Sequence, residues 1–340
     1  MLDIQKNVAL ADYTTIKIGS LAEFFVVVEN RDELLEAIKW ANDKKKKIFI
    51  LGGGSNLLIT KKIKGLVIKN EIHGMRVVEE DDDNAILSSD SGELWSRFVS
   101  FSVDKELYGM ENLFLIPGTV GAAPMQNIGA YGAELKDVFY SLTAVNLKTG
   151  KEKIFKLKDC GFAYRNSIFK KKLKGKYFIC SVEVKLSKKP EFNLEYGAIK
   201  DKLKERGIHT PRSKDVIDII QEIRNSKLPN PVNIPNAGSF FKNPEVSIKQ
   251  FKKIQDKYPE VPNFPSQIKK KIKIPAGWLI DQSGFKGKEF GPVGMYESQA
   301  LILVNRGGAE AKDVLALVKK IKDKVREDFG LDLEEEVNII

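Results

Sequence analysis

The 340-residue chain has only two cysteines, Cys160 and Cys180, with no CxxC pair and no histidine cluster beside them. That argues against a disulfide framework and against a structural zinc site, which needs four converging thiolates or imidazoles. Long apolar runs are missing as well: no stretch approaches the ~18–20 continuous apolar residues of a membrane span. The opening residues, Met1-Leu2-Asp3-Ile4-Gln5-Lys6, lack a basic segment feeding an apolar core, so no secretory signal is expected. These absences leave a soluble protein of the reducing cytoplasm as the expectation. No nucleic-acid recognition motif accompanies the charge, although 56 Lys+Arg against 46 Asp+Glu gives a net +10. The excess favours anionic partners such as phosphorylated small molecules. The lysine runs at 44–47, 170–172 and 269–271 stand beside ample acid and read as solvated faces.

What is present is a 42% hydrophobic share, enough for globular domains. The length calls for two or three of them, each of about 100–150 residues. Residues 14–28 read as two short strands around a Gly-Ser turn. Asn30 and Glu33 form a capping pair, ahead of a helix whose apolar face is Leu34, Leu35, Ile38 and Ala41. The strand 47–51 then runs into Gly52-Gly53-Gly54-Ser55-Asn56. Glycines let successive backbone N–H groups converge on an anion, with Ser55 and Asn56 as added donors, so this loop suits a pyrophosphate. More strand follows it, at 57–59 and 65–68, so the dinucleotide fingerprint of a strand, glycine loop and helix does not apply. A glycine turn in a β-rich lobe accounts for the loop equally well.

Residues 77–89 suggest a hairpin around Asp81-Asp82-Asp83-Asn84, and a helix with Leu94, Phe98 and Phe101 on its core face is expected from about Ser91. The passage 117–132 is long, rich in glycine and poor in charge. It offers Pro117, Gly118, Thr119, Gly121, Ala122, Ile128, Gly129 and Gly132 for close approach to a large planar ligand, and Gln126 and Asn127 for hydrogen bonds to its edge. Strands at 142–147, 154–157 and 178–186 flank Phe162-Ala163-Tyr164-Arg165-Asn166-Ser167. Arg165 there is either a fixed guanidinium aimed at a carboxylate or a surface ion pair.

A charged segment, 188–212, contains Tyr196-Gly197 and separates the halves. A helix follows from Ser213, with Val216, Ile217, Ile220 and Ile223 on one face, and ends near Lys227. Next comes Asn236-Ala237-Gly238-Ser239-Phe240-Phe241-Lys242-Asn243-Pro244, which sets one hydroxyl between a tight turn and an apolar wall. Taken alone it is a reaction floor or a hairpin edge with a buried Phe pair. Pro275-Ala276-Gly277-Trp278-Leu279-Ile280, then Ser298-Gln299, lead to a strand at 300–304. A last helix at about 310–329, with Val314, Leu317, Val318, Ile321 and Val325 on one face, precedes a tail ending in a short strand.

Taken together, these separated motifs resemble the UDP-N-acetylenolpyruvoylglucosamine reductase family of flavoenzymes, which serves peptidoglycan precursor synthesis. The resemblance rests on Leu51-Gly52-Gly53-Gly54-Ser55-Asn56-Leu57, the 117–132 passage, Tyr164-Arg165-x-Ser167, 238–244 and 276–280, in that order, and covers nearly the whole chain. It implies an α+β protein: a two-lobed FAD-binding region of the vanillyl-alcohol-oxidase (PCMH) type at 1–189, with lobes of roughly 1–70 and 71–189. A linker with a substrate loop would follow at 190–212, then a substrate-binding domain at 213–340 whose tail returns to the active site. It further implies bound FAD, NADPH as hydride donor, a monomer, and a small-molecule substrate, UDP-N-acetylglucosamine enolpyruvate, with neither nucleic acid nor membrane as partner. Arg165, Ser239 and Glu336 match the catalytic arginine, proton donor and glutamate. Tyr196, Lys227, Asn243 and Gln299 match substrate-holding positions, and Tyr196 marks the subtype with a tyrosine-bearing loop.

The tail departs from the family pattern: Leu333-Glu334-Glu335-Glu336-Val337-Asn338 lacks the proline usual just before the catalytic glutamate and the basic residue usual after the valine. Glu336 is chosen because it precedes Val337; Glu335 is its neighbour in any slipped alignment. Two other readings compete. A flavin oxidase on the same lobes would not need Ser239 with Glu336, and a basic nucleic-acid-binding protein would need aromatic platforms that the sequence does not supply.

Overall fold

Segments far apart in sequence fold together. A computed structural model describes residues 2–194 and 197–340, so the expected substrate-loop residue Tyr196 lies outside the described residues. The chain divides into two units that interleave along the sequence: 1–8, 21–53 and 63–224 make the first, while 9–20, 54–62 and 225–340 make the second.

The first unit begins with a four-stranded sheet in the order Gln5–Ala9, Leu21–Val28, Ile63–Asn70, Ile48–Leu51. Leu21–Val28 and Ile48–Leu51 both run parallel to Ile63–Asn70. Parallel neighbours need a crossover, and helix α1 (Arg31–Asp43) provides one. The Asn30 side chain accepts the Glu33 N–H at 3.0 Å and the Glu33 carboxylate accepts the Glu29 N–H at 2.8 Å, which fixes where the helix starts. Its buried face, Leu34, Ala37, Ile38 and Ala41, packs with Val26, Val28, Leu66 and Ile68. Each large aliphatic side chain buried in this way contributes about 1.5–3 kcal/mol.

A five-stranded antiparallel sheet also belongs to this unit, in the order Glu152–Lys156, Phe139–Asn146, Tyr177–Ser187, Asn84–Asp90, Met75–Glu80, with a two-stranded pair of Gly129–Ala130 and Ala133–Glu134 besides. The expected hairpin is present, its turn held by the Asp81 carboxylate, which accepts the N–H groups of Asp83 and Asn84 at 2.8 and 2.7 Å. Helices α2 (Trp95–Asp104) and α3 (Leu157–Cys160) contribute Trp95, Phe98, Val99 and Cys160 to the core.

Three expectations change. Residues 14–19 form no strand: Lys17 sits at φ +57, and the Thr14 hydroxyl bonds the carbonyls of Ala11 and Ile18, closing the segment on itself. Helix α2 starts at Trp95 and not near Ser91, because Ser91, Gly92 and Glu93 use their backbone groups on Gly121, Ile72 and Val120. Leu94 is consequently 48% exposed and outside the core. Finally, the charged segment expected as a linker carries α4 (Gly197–Glu205), and it is followed by α5 (Ser213–Lys227). Ile199, Leu203, Val216, Ile219, Ile220 and Ile223 join the core of the first unit, so that unit reaches Arg224, where a boundary at 189 was expected.

In the second unit an antiparallel sheet runs in the order Asn236–Ser239, Ile302–Asn305, Val293–Met295, Glu289–Phe290. Three helices pack in its core: α6 (Ile248–Lys257), α7 (Ala276–Gln282) and α8 (Ala311–Phe329). The α8 face is the expected one, with Val314, Leu317, Val318, Ile321 and Val325 all buried. A small sheet of Glu245–Ser247, Lys271–Lys273 and Phe264–Pro265 stands beside them in sequence. The chain end is pinned, since Asn338–Ile339 pairs parallel with Leu57–Leu58. Among the described residues no helix is long and apolar enough to cross a membrane.

Candidate active site

In the first unit two glycine-rich segments meet backbone to backbone. A Cβ on Gly52 would lie 2.7 Å from Thr119 Oγ1, and one on Gly53 would lie 3.3 Å from Gly118 Cα, so side chains would fill the space the two strands of loop share. Gly118 takes φ +119, a region glycine enters without strain. Among the described residues the amides of Gly52, Gly53, Gly118 and Thr119 donate to no protein acceptor. The next amides are anchored from behind, Val120 to the Glu93 carbonyl at 2.8 Å and Gly121 to the Ser91 carbonyl at 2.9 Å. Residues 120–125 then form a short 3-10 turn.

Arg165 belongs to the same unit. Ala163 and Asn166 exchange backbone hydrogen bonds of 3.1 and 3.0 Å, leaving Tyr164 and Arg165 at the tip of a tight turn with Arg165 at φ +50. Its Nη2 donates to the Gly129 carbonyl at 2.8 Å, and its guanidinium lies 5.4 Å from the centre of the Tyr164 ring. A Cβ on Gly129 would stand 2.7 Å from the Ala133 carbonyl, 3.0 Å from Glu134 Cγ and 3.3 Å from Arg165 Nη1, so glycine is required first by the hairpin partner and then by the guanidinium. Ser167, almost fully buried, donates to the Met125 carbonyl at 2.7 Å and accepts the Phe169 N–H at 3.1 Å, tying the arginine turn to the glycine passage.

In the second unit Ser239 sits at a bulge. Asn236 pairs with Val304 and Ser239 with Ile302, so one residue more lies between the pairs on this strand than on its partner, and Gly238 takes φ +71. Asn236 sets the bend: its side-chain oxygen accepts the Gly238 N–H at 2.9 Å while its amide donates to the Ile234 carbonyl at 2.8 Å. Phe240 and Phe241 are fully buried, their rings 5.3 Å apart. The Ser239 hydroxyl itself is half-buried and makes no protein hydrogen bond among the described residues.

The tail runs alongside this segment. Phe241 bridges Glu335, the Glu336 N–H donates to the Phe240 carbonyl at 2.8 Å, and the Glu336 carbonyl accepts from Asn56 Nδ2 at 3.3 Å. Glu335 is bound by Lys322 at 2.7 Å and Glu334 pairs with Lys242. Asn243 and Gln299 are half-buried. Asn243 Oδ1 accepts the Ala276 N–H at 2.9 Å, and Gln299 Oε1 accepts the Leu301 N–H at 3.2 Å. Lys227 ends α5 with its side chain exposed.

Known proteins supply the context. Residues 230–340 match the model of the UDP-N-acetylenolpyruvoylglucosamine reductase C-terminal domain, and 22–156 match that of an FAD binding domain. The UDP-N-acetylenolpyruvoylglucosamine reductase of Flavobacterium johnsoniae is 44% identical over the full length of both chains, and that of Pseudomonas aeruginosa 42% identical over 99% of each. The chain belongs to this reductase family. The crystal structure of the reductase from Thermus caldophilus, at 24% identity, shares the fold, with a TM-score of 0.67 covering 100% of this chain and 99% of that one.

A member of the reductase family is an FAD-binding oxidoreductase, with the flavin region of vanillyl-alcohol-oxidase type expected above. The first unit fits that group: the free amides of Gly52, Gly53, Gly118 and Thr119 are donors for phosphate oxygens, and no Cβ intervenes. Gly121, Ala122, Ile128, Gly129 and Gly132 belong to the passage that leads from this cradle toward the arginine turn. The five-residue run 52–56 is divided, since Gly54, Ser55 and Asn56 fall in the second unit. Gly54 there is dictated by its own surroundings: at φ +63 its Cβ would strike the Tyr13 carbonyl at 2.0 Å.

Asn127 departs from the role expected of it. Fully buried at φ +47, it donates to Glu134 and the Ala163 carbonyl and accepts the Lys136 N–H, so its side chain braces the loop. Gln126 accepts from Lys170 at 3.1 Å. One feature of the reductase escaped the sequence: Arg224 of α5. Burial lowers its pKa from the ordinary arginine value, opposed by a hydrogen bond to Tyr131 in the glycine passage. The signal was its place four residues after Ile220, on the buried face of the helix.

Proposed function

We propose that this reductase converts UDP-N-acetylglucosamine enolpyruvate to UDP-N-acetylmuramate with NADPH as the reductant, supplying a peptidoglycan precursor in the cytoplasm as a monomer. Bound FAD supplies two-electron hydride chemistry between NADPH and C3 of the enolpyruvyl group. The residues of the chain handle charge and the proton. Hydride addition at C3 drives negative charge onto the conjugated carboxylate. Arg165, always cationic and already oriented by the Gly129 carbonyl, stabilises that charge as it develops. Ser239 donates the proton that C2 must receive, so the double bond gains one hydride and one proton. Serine is a weak acid, yet an enolate-like carbon is basic enough to take its proton when the geometry is right. Glu336, held by its backbone against Phe240, is the remaining catalytic group. Lys227, Asn243 and Gln299 hold the substrate, Tyr196 closes over its uridine diphosphate, and the net charge of +10 favours the approach of both polyanions.

The observation that carries this reading is Ser239: a half-buried hydroxyl, set by a glycine bulge and engaged by no protein group among the described residues. The test is anaerobic. NADPH should bleach the flavin of the purified enzyme, and UDP-N-acetylglucosamine enolpyruvate should then restore its colour. Colour that returns with air but not with the enolpyruvyl substrate would make the protein an oxidase and end the reductase reading.

A further inference from the structure

We propose that Gly277 is a positioning residue for Gln299: by carrying no side chain in the first turn of α7 it leaves the Gln299 carboxamide the one orientation that presents an N–H donor to the substrate. The proposal rests on the reading that Gln299 binds substrate. Gly277 is otherwise hard to account for. It follows Pro275 and Ala276 at the start of a helix and has no positive φ, so nothing in its backbone asks for glycine. Alanine is the better helix former at such a place.

What stands where a side chain would go is decisive. A Cβ on Gly277 would lie 2.7 Å from Gln299 Oε1, while its next neighbours, Leu301 Cβ at 3.6 Å and Gln299 Cδ at 3.8 Å, are at ordinary contact distance. The one obstacle is therefore the far end of one flexible side chain, which would move aside and leave the helix intact. That end is also the one the fold has fixed. Oε1 accepts the Leu301 N–H at 3.2 Å, which makes it the oxygen and leaves Nε2 as the donor end, making no protein hydrogen bond among the described residues. The same turn treats Asn243 alike, since the Ala276 N–H at 2.9 Å takes its Oδ1 and leaves Nδ2 as the donor end. Two carboxamides beside this turn thus have their oxygens taken by backbone amides, Leu301 for Gln299 and Ala276 for Asn243, and keep their donor ends, which suits an acceptor-rich anionic substrate. A methyl group at 277 would push Oε1 off the Leu301 amide and turn the donor away.

The test uses the full-length FAD-loaded enzyme in Gly277→Ala, Gln299→Ala, Gln299→Glu and the double Gly277→Ala/Gln299→Ala, with steady-state kinetics on UDP-N-acetylglucosamine enolpyruvate and thermal melts. Gly277→Ala is expected to raise KM about tenfold, the loss of one buried donor, with kcat nearly unchanged and a melting temperature equal or higher. Gln299→Glu keeps the oxygen, loses the donor and adds a negative charge, and should raise KM at least as much as Gln299→Ala. The double variant should be no worse than Gln299→Ala alone. Additive losses in the double variant, a Gln299→Glu enzyme that binds like the wild type, or a Gly277→Ala enzyme with unchanged KM beside an impaired Gln299→Ala each overturn the positioning role alone. A Gln299→Ala enzyme with unchanged KM overturns it together with the reading that Gln299 binds substrate.

Discussion

Arg165 and Ser239 are set in place by opposite means. Arg165 is clamped: it tips a two-residue turn at φ +50 and its guanidinium is tied to the Gly129 carbonyl at 2.8 Å. For a residue with a Cβ that backbone region costs roughly 1–2 kcal/mol, which the paired backbone bonds of Ala163 and Asn166 offset. Ser239 is seated but not clamped, because the left-handed step falls on Gly238, which has no Cβ to strain, and the hydroxyl is free to rotate. The difference suits the two tasks proposed for them. A cation that stabilises developing charge works best when it need not reorganise. A hydroxyl that gives up a proton and must be reloaded works best when it can turn.

The largest break in this comparison comes from removing the hydroxyl. Ser239→Ala should leave anaerobic NADPH bleaching of the flavin nearly intact and slow reoxidation by the enolpyruvyl substrate by about 10²–10⁴-fold, the usual worth of a positioned acid. Equal loss in both half-reactions, read by stopped flow, would make Ser239 a structural residue. Arg165→Lys comes next. Lysine keeps the charge but has no planar fork to hold both the Gly129 carbonyl and a carboxylate, so the substrate half-reaction should fall by about 10²-fold. If lysine serves as well as arginine, the clamp seen at Gly129 has no catalytic meaning.

Wherever the cause is local, the fold could be read from the sequence. Asn30 with Glu33 marked the start of α1, the acidic turn after Glu80 marked a hairpin, and the spacing of Val314, Leu317, Val318, Ile321 and Val325 marked the face of α8. Residues 14–19 misled because Ile16 and Ile18 are buried with the alternation of a strand, although Lys17 between them turns the chain back. Asn127 misled in a related way: polar residues in a glycine passage look outward-facing on paper, and only its three partners reveal that it is a brace. The interleaving of the two units was out of reach, since it depends on the tail pairing with Leu57–Leu58 some 280 residues earlier. The affiliation of α4 was hidden by lysines, whose charge gave its segment the look of a linker while Ile199 and Leu203 joined a core; α5 was expected as a helix, but with the domain that follows it.

The smallest effect isolates the seat from the hydroxyl. At Gly238 an added Cβ would meet nothing within 4 Å, in contrast to Gly121, where it would press on Ser91 Cβ at 2.6 Å. Gly238→Ala therefore carries only the backbone cost of φ +71, roughly 1–2 kcal/mol, and no collision. Asn236, which accepts the Gly238 N–H, still holds the bend. The expected outcome is a melting temperature lowered by a few degrees and a substrate half-reaction slowed by no more than about tenfold, far less than in Ser239→Ala. A Gly238→Ala enzyme as slow as Ser239→Ala would mean that the hydroxyl depends on a backbone angle as strictly as the guanidinium does, and the two residues would then be clamped alike.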